Sequence, residues 1–266
     1  MTDAFKRLTV NTHFSAISDG KVLVSWALDR SFNEPGPYRF TLQRGYAAND
    51  DQFVTVSTTT DQPWLYDNAP VFPQRGDEVF YRVILVDGNG RQYVSQAAPI
   101  SSYWNRYDWS LAKEIVRKET LVLKKRAGVR GWLLKRRLWG DECPVCVDPE
   151  TKQIKDANCP VCYGTGITGG YYDPFEYWVI MNPTNIVRKL DNEMGLISQS
   201  YETVRALAYP LPEPNDVWVN HETDRRYVIQ SDIQVIARHR GIDLVLSLRL
   251  EERAKSEAIY KVPIPC

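Results

Sequence analysis

Histidine is scarce in this chain, with three residues in 266, and none of the three sits where chemistry would need it. His13, His221 and His239 occupy separate turn or strand-edge contexts, away from the spacing of a metal site or of a triad with a serine or cysteine nucleophile. There is no G-x-S-x-G elbow, no H-E-x-x-H helix and no phosphate loop. Acidic pairs such as Asp141 with Glu142, Glu213 with Asp216, and Glu251 with Glu252 lie in polar surroundings, where carboxylates are ordinarily solvated. A catalytic role is therefore not expected. Long apolar runs are also missing: nothing approaches the roughly 20 residues that span a bilayer. The opening MTDAFKRLTV lacks the apolar core and small-residue cleavage site of a secretory leader, which predicts an unsecreted, non-membrane protein. A charge of one sign is lacking as well, with 33 basic residues against 33 acidic, so any attraction for a polyanion has to be local.

What the first hundred residues do contain is alternation. In KVLVSWAL, Val22, Val24, Trp26 and Leu28 alternate with Leu23, Ser25 and Ala27, the period-two signal of a strand with one face buried. PYRFTLQRG places Tyr38, Phe40 and Leu42 on one face, DQFVTVST is β-branched, and EVFYRVILVDGNG runs into a Gly88-Asn89-Gly90 turn before RQYVSQ returns. Short strands at this spacing predict two packed antiparallel sheets with the Trp26 indole in the core. The order of these strands resembles the fibronectin type III family over residues 10–100, with Val79 standing where that family carries its corner tyrosine. The resemblance implies a β-sandwich that serves as an assembly or adhesion module or as a spacer.

From Asp108 to Gly128 the pattern changes to a helix. Leu111, Ile115, Leu121 and Val122 fall near one face, with Asp108 or Ser110 able to cap the start and Gly128 to end it. Between Lys113 and Arg137 ten Lys/Arg face only Glu114 and Glu119, a local +8. Lys124, Lys125, Arg126, Arg130, Lys135, Arg136 and Arg137 are candidates for contact with nucleic acid or with an acidic partner, the alternative being a solvated face. The aromatics Tyr103, Trp104, Tyr107 and Trp109 just upstream could stack on bases or pack on a neighbouring domain.

The sharpest chemical signal is CPVCVDPETKQIKDANCPVC. Four of the five cysteines form two C-x-x-C pairs, Cys143 with Cys146 and Cys159 with Cys162, separated by twelve residues; Cys266 stands apart as a free thiol. Two such pairs can each turn both sulfurs onto one ion, giving a tetrahedral four-thiolate site. Zinc is the expected ion, with iron and disulfide pairing as alternatives. A site closed by four thiolates has no open position for water, so it contributes folding energy rather than catalysis. The polar loop between the pairs offers only Val147 and Ile154 to a core and is expected to be disordered without an ion. Gly164 to Gly169 satisfies G-x-G-x-x-G but follows a metal knuckle instead of a buried strand, so it is not read as a dinucleotide fingerprint. At the second pair, CPVCYGTG resembles the zinc repeats of Hsp40-type chaperones over residues 159–166, which implies a shared way of wrapping an ion.

The last ninety residues return to strands. FEYWVIMN is a strand, NDVWVNHETDRRYVIQ a hairpin turning at His221 to Asp224, and RGIDLVLSLRLEE puts Ile242, Leu244, Leu246, Leu248 and Leu250 on one face. KLDNEMGLISQSYETVRALAYPLPEPND reads as a long excursion between them. A small antiparallel barrel closes such a set. The fold class expected is mainly β: a sandwich over residues 1–102, a basic helical linker over 103–140, a zinc segment over 141–172 and a barrel-like domain over 173–266.

Residues 216–252 resemble the small-barrel head-completion or stopper proteins of tailed bacteriophages, and the order of sandwich, basic helix, C-P-x-C pairs ending in CYGTG and barrel is similar to phage neck and connector components. That resemblance implies a non-catalytic virion structural protein, assembled in the host cytoplasm. It implies a homo-oligomeric ring between portal or adaptor and tail proteins, with structural zinc and the basic stripe facing packaged DNA or an acidic partner. A zinc-ribbon nucleic-acid-binding protein using residues 103–165 is the alternative, and a carbohydrate-acting or adhesive module the third.

Overall fold

The computed structural model describes residues 8–14, 22–28, 32, 34–46, 53–57, 59–67, 79–99, 106–181, 186–192, 195–239 and 242–265. The fold is mainly β and divides into two compact units, Met1–Ile115 with His239–Ile242 and Val116–Arg238 with Asp243–Cys266.

In the first unit, strands β1 (Leu8–Phe14), β2 (Val22–Leu28) and β5 (Trp64–Asp67) make one antiparallel sheet in the order β1-β2-β5. Strands β3 (Arg39–Gly45), β4 (Val54–Thr55), β6 (Phe80–Val86) and β7 (Gln92–Val94) make a second in the order β4-β3-β6-β7, with β8 (Ala98–Pro99) beside β6. The alternation drives this arrangement. Val24 and Trp26 on β2, Phe40 and Leu42 on β3, and Tyr81, Val83 and Leu85 on β6 are all buried, while their sequence neighbours face outward or sit half-buried. The Trp26 and Phe40 rings meet at 5.3 Å across the two sheets. Asp67, buried at the end of β5, is balanced by Arg44 at 2.5 Å and accepts the Tyr81 hydroxyl at 2.8 Å.

Helix α1 (Arg106–Val122) continues into a π-turn over Leu123–Ala127. Two details correct the sequence reading. Asp108 lies inside the first turn instead of preceding it, and its carboxylate sits 3.1 Å from His239 Nε2. Among the described side chains of the helix, Asp108, Ala112, Val116, Glu119 and, in the π-turn, Leu123 are buried, whereas Leu111, Leu121 and Val122 are exposed. Of the stripe expected to be buried, Leu111, Leu121 and Val122 thus face outward and Ile115 is half-buried. Glu119, on the buried face, pairs with Arg205 at 2.6 Å.

The second unit is built on a closed sheet. Strands β9 (Val129–Leu134), β10 (Phe175–Met181), β12 (Gly195–Leu207), β13 (Val217–Asn220), β14 (Arg226–Ile229) and β16 (Ile242–Glu252) follow the order β12-β10-β9-β13-β14-β16, and β16 pairs back onto β12. Six antiparallel strands thereby form a barrel, with β11 (Ile186–Asn192) beside β12 and β15 (Gln234–His239) beside β16 at the ends of the path. Its interior holds Leu133, Tyr177, Val204, Trp218, Leu246 and Leu248 among others. The Trp218 indole donates to Tyr177 O at 3.1 Å, and Gly131 makes room for it: a Cβ there would lie 2.4 Å from the indole nitrogen. Outside the barrel, Val217, Val219 and Leu134 are covered by Ile259 and Val262 of the C-terminal segment, so β13 is buried on both faces.

Two segments differ from the sequence reading. Val129–Leu134, taken as the end of a helical linker, is a barrel strand: Leu133 faces the interior and Leu134 the outer cluster, which erases the alternation that would have marked it. The stretch taken as a long excursion is largely the β11–β12 hairpin, with Ile186 to Asn192 pairing with Gly195 to Tyr201.

Candidate metal centre

The cysteine lobe is the tip of the β9–β10 hairpin. Above the last ladder pair, Phe175 opposite Leu133, the two chains stay paired through Arg136 and Tyr171, then Glu142 and Ile167, before opening around the four cysteines. Tyr172 N donates to Lys135 O and Arg137 N to Gly170 O, each at 2.9 Å, which closes the neck of the lobe.

Within the lobe each C-x-x-C pair is a turn held by its own backbone. Val147 N donates to Cys143 O at 3.1 Å in the first, and Tyr163 N to Cys159 O at 2.9 Å in the second. The turns are locked together by Cys143 N donating to Gly166 O at 2.9 Å and by the Val147–Ile154 bridge. Gly164 holds a left-handed φ of 79°, and a Cβ there would lie 2.6 Å from Ala157 O, so the chain leaves the second pair through a conformation that glycine adopts freely. Asp148 accepts from Glu150 N, and Asp156 from Asn158 N, ordering the polar loop between the pairs.

All four sulfurs are buried, and all four cysteines are free thiols. Their Sγ atoms lie within 4.8 Å of one another, with Cys143 to Cys159 at 3.7 Å and Cys146 to Cys162 at 3.2 Å. Four thiolates at about 2.3 Å from a central ion would stand about 3.8 Å apart, so the donor set fits a tetrahedral thiophilic cation. The electrostatics agree. The amides of Cys162 and Val161 point at the Cys159 sulfur and pull that thiol down to about 7, while burial, together with the neighbouring sulfurs, pushes the Cys146 thiol well up. Four such groups in one dry cage cannot all ionise without a positive centre between them, and a divalent cation supplies it. The chain therefore carries a cysteine cluster able to coordinate a metal ion, closed on every side by sulfur.

The basic residues do not form the continuous stripe their spacing suggested. Lys135 is 4% exposed, and its ammonium donates to Asp216 at 2.9 Å, Glu213 at 2.7 Å and Leu211 O at 2.8 Å. Burial raises the Asp216 pKa, and the Lys135 charge and the Arg136 and Glu213 amides oppose that shift. Lys135 is thus part of a buried ion cluster at the root of the lobe, not a surface contact. Arg130 pairs with Glu176 at 3.0 Å, Arg136 reaches Thr165 O, and Arg137 donates to Tyr171 O with its guanidinium 4.5 Å from the Tyr172 ring centre. Lys124, Lys125 and Arg126 remain, exposed together on the π-turn.

Among the described residues no helix is long and apolar enough to cross a membrane. No family model matches the chain, and no curated protein matches its sequence.

Proposed function

We propose that this chain is a non-catalytic structural protein of a tailed-phage neck, a zinc-stapled subunit of a ring that joins portal and tail. The observation that carries the reading is the closed four-thiolate cage on the tip of a hairpin that belongs to a six-stranded barrel. Zinc, when bound, supplies folding energy and fixes the shape of the lobe; with four sulfur ligands it has no position left for a substrate. The chain's own residues do the rest. The barrel core holds the hairpin rigid, the Lys135–Asp216–Glu213 cluster anchors its neck, and the lobe is presented as a defined surface. Strand orders β1-β2-β5 and β4-β3-β6-β7 support a fibronectin type III-type sandwich for the first unit, a module suited to subunit contacts. The likeness of residues 216–252 to stopper barrels supports the neck assignment.

Elemental analysis should find one zinc per chain, and mass spectrometry with imaging of assembled particles should place the chain in the neck. Particles that lack it would end this reading. A zinc-dependent nucleic-acid binder is the second reading, favoured by the exposed Lys124, Lys125 and Arg126. It requires DNA or RNA binding that weakens steeply with salt and is lost when these three residues are neutralised.

A further inference from the structure

Two surface patches of the second unit remain unexplained by the barrel and the cage. One is at the end of α1. Leu121 is 47% and Val122 40% exposed, beside the exposed Lys124, Lys125 and Arg126. The other is on the cysteine lobe. Each C-x-x-C turn turns its inner Pro-Val outward, leaving Val145 67% and Val161 36% exposed, although the sulfurs beside them are fully buried. Around these valines residues 138–172 carry five carboxylates against two lysines, a net −3. Lys152 pairs with Glu142 and Lys155 with Asp148, so the acids left over are Asp141, Glu150 and Asp156, all exposed and without an ion-pair partner among the described residues. Four thiolates around one divalent ion would add two further negative charges beneath this surface.

The patches match in kind: exposed apolar residues ringed by cations on one, exposed apolar residues ringed by carboxylates on the other. They also sit at opposite ends of one rigid element. The π-turn packs on β9 and β10 where Val129 opposes Val179, and the lobe grows from the other end, beyond Leu133 opposite Phe175. The ladder alone separates them by about 14 Å, four steps at ~3.4 Å per residue. One copy cannot join its own two patches across that ladder, but two copies can meet head to tail. A contact between two different surfaces of one chain is heterologous and propagates, closing into a ring when the rotation allows.

We infer that the occupant of the cysteine lobe's Pro-Val face is a second copy of this chain, which inserts the Leu121–Val122 end of its helix α1 and sets Lys124, Lys125 and Arg126 against Asp141, Glu150 and Asp156. This rests on the ring reading and names its subunit contact. Salt acts on the rim and the apolar residues on the centre, so ionic strength should weaken the contact without abolishing it.

The test is a charge swap in the full-length, metal-loaded chain, read by sedimentation velocity and light scattering. Variant one carries Lys124→Glu, Lys125→Glu and Arg126→Glu; variant two carries Asp141→Lys, Glu150→Lys and Asp156→Lys. Wild type is expected to form oligomers, and each variant alone to lose at least ten-fold in self-association. Mixing the two should restore assembly, because every reversed patch then finds a reversed partner. Val145→Ser should weaken assembly at unchanged metal content and unchanged circular dichroism, which separates the contact from folding. Oligomers whose strength is indifferent to both charge variants, or no rescue in the mixture, overturn this contact and leave the ring reading standing. A wild type that stays monomeric at every concentration and salt also overturns it; the neck reading is then judged separately by whether particles contain the chain. Duplex DNA binding by a monomer, lost in variant one, would assign the basic patch to nucleic acid instead.

Discussion

The barrel and the cysteine lobe share a hairpin, yet they are held by opposite means. Inside the barrel Trp218, Leu246, Leu248 and Leu250 are fully buried among one another, and the stabilisation is apolar area removed from water, roughly 25 cal/mol per Å². In the lobe the buried cluster is the four sulfurs with Val147 packed against them, and the apolar side chains Val145 and Ile154 are turned out. A hydrophobic core is spread over many contacts and degrades gradually when one is lost. A four-thiolate cage concentrates its free energy in one ion and fails as a whole. The lesson is that a protein can afford an apolar exterior on a small lobe when something other than burial keeps that lobe folded.

The largest test of this contrast is removal of the metal. Chelation, or Cys143→Ser with Cys159→Ser, should forfeit on the order of 10 kcal/mol of lobe stability. Limited proteolysis should then cut between residues 141 and 170 while the barrel persists by circular dichroism. A lobe that stays protected after complete chelation would erase the distinction drawn above. Next in size, Lys135→Ala leaves the Asp216 carboxylate buried without its cation and should cost about 3–5 kcal/mol in denaturant unfolding. Loss of that size would show the neck of the lobe to be wired into barrel stability. Leu248→Ala, wholly inside the barrel, should cost about 3 kcal/mol and leave zinc stoichiometry at wild-type level; a parallel fall in bound metal would mean the two regions are one cooperative unit. The smallest effect belongs to Gly169→Ala, where an added Cβ meets nothing closer than 3.5 Å and only the left-handed φ of 82° costs an L-residue, about 1–2 kcal/mol; it should appear as weaker metal retention in a competition assay with the barrel melting unchanged.

Much of this was legible in the residues. The C-x-x-C spacing located the sulfur cluster, the alternation in VLVSWAL and PYRFTLQRG put Val24, Trp26, Phe40 and Leu42 on inward faces, and HETD between two β-branched runs marked the β13–β14 turn. The failures have physical causes. Val129–Leu134 is apolar on both faces at Leu133 and Leu134 and carries a glycine, so neither a period of two nor good strand propensity was visible. The helix face was misjudged because Leu111, Leu121 and Val122 outweigh Ala112 and Val116 in hydrophobicity, while the partner of the buried Glu119, Arg205, lies far along the chain. Lys135 looked like one more surface cation because the carboxylates that bury it, Glu213 and Asp216, lie 78 and 81 positions away.

The metal lobe rests on the scaffold through Tyr163 against the outer cluster and through Asn158 Oδ1, which accepts from Ala258 N at 3.1 Å, and its two chains meet at Arg136 and Tyr171. Entry and exit strands are already neighbours there, so excising residues 137–170 and bridging the gap with a tight turn leaves every barrel ladder its native partner. Such a shortened chain is expected to keep the barrel and lose the metal. Grafting the excised stretch onto a different antiparallel hairpin would carry the sulfur cage with it.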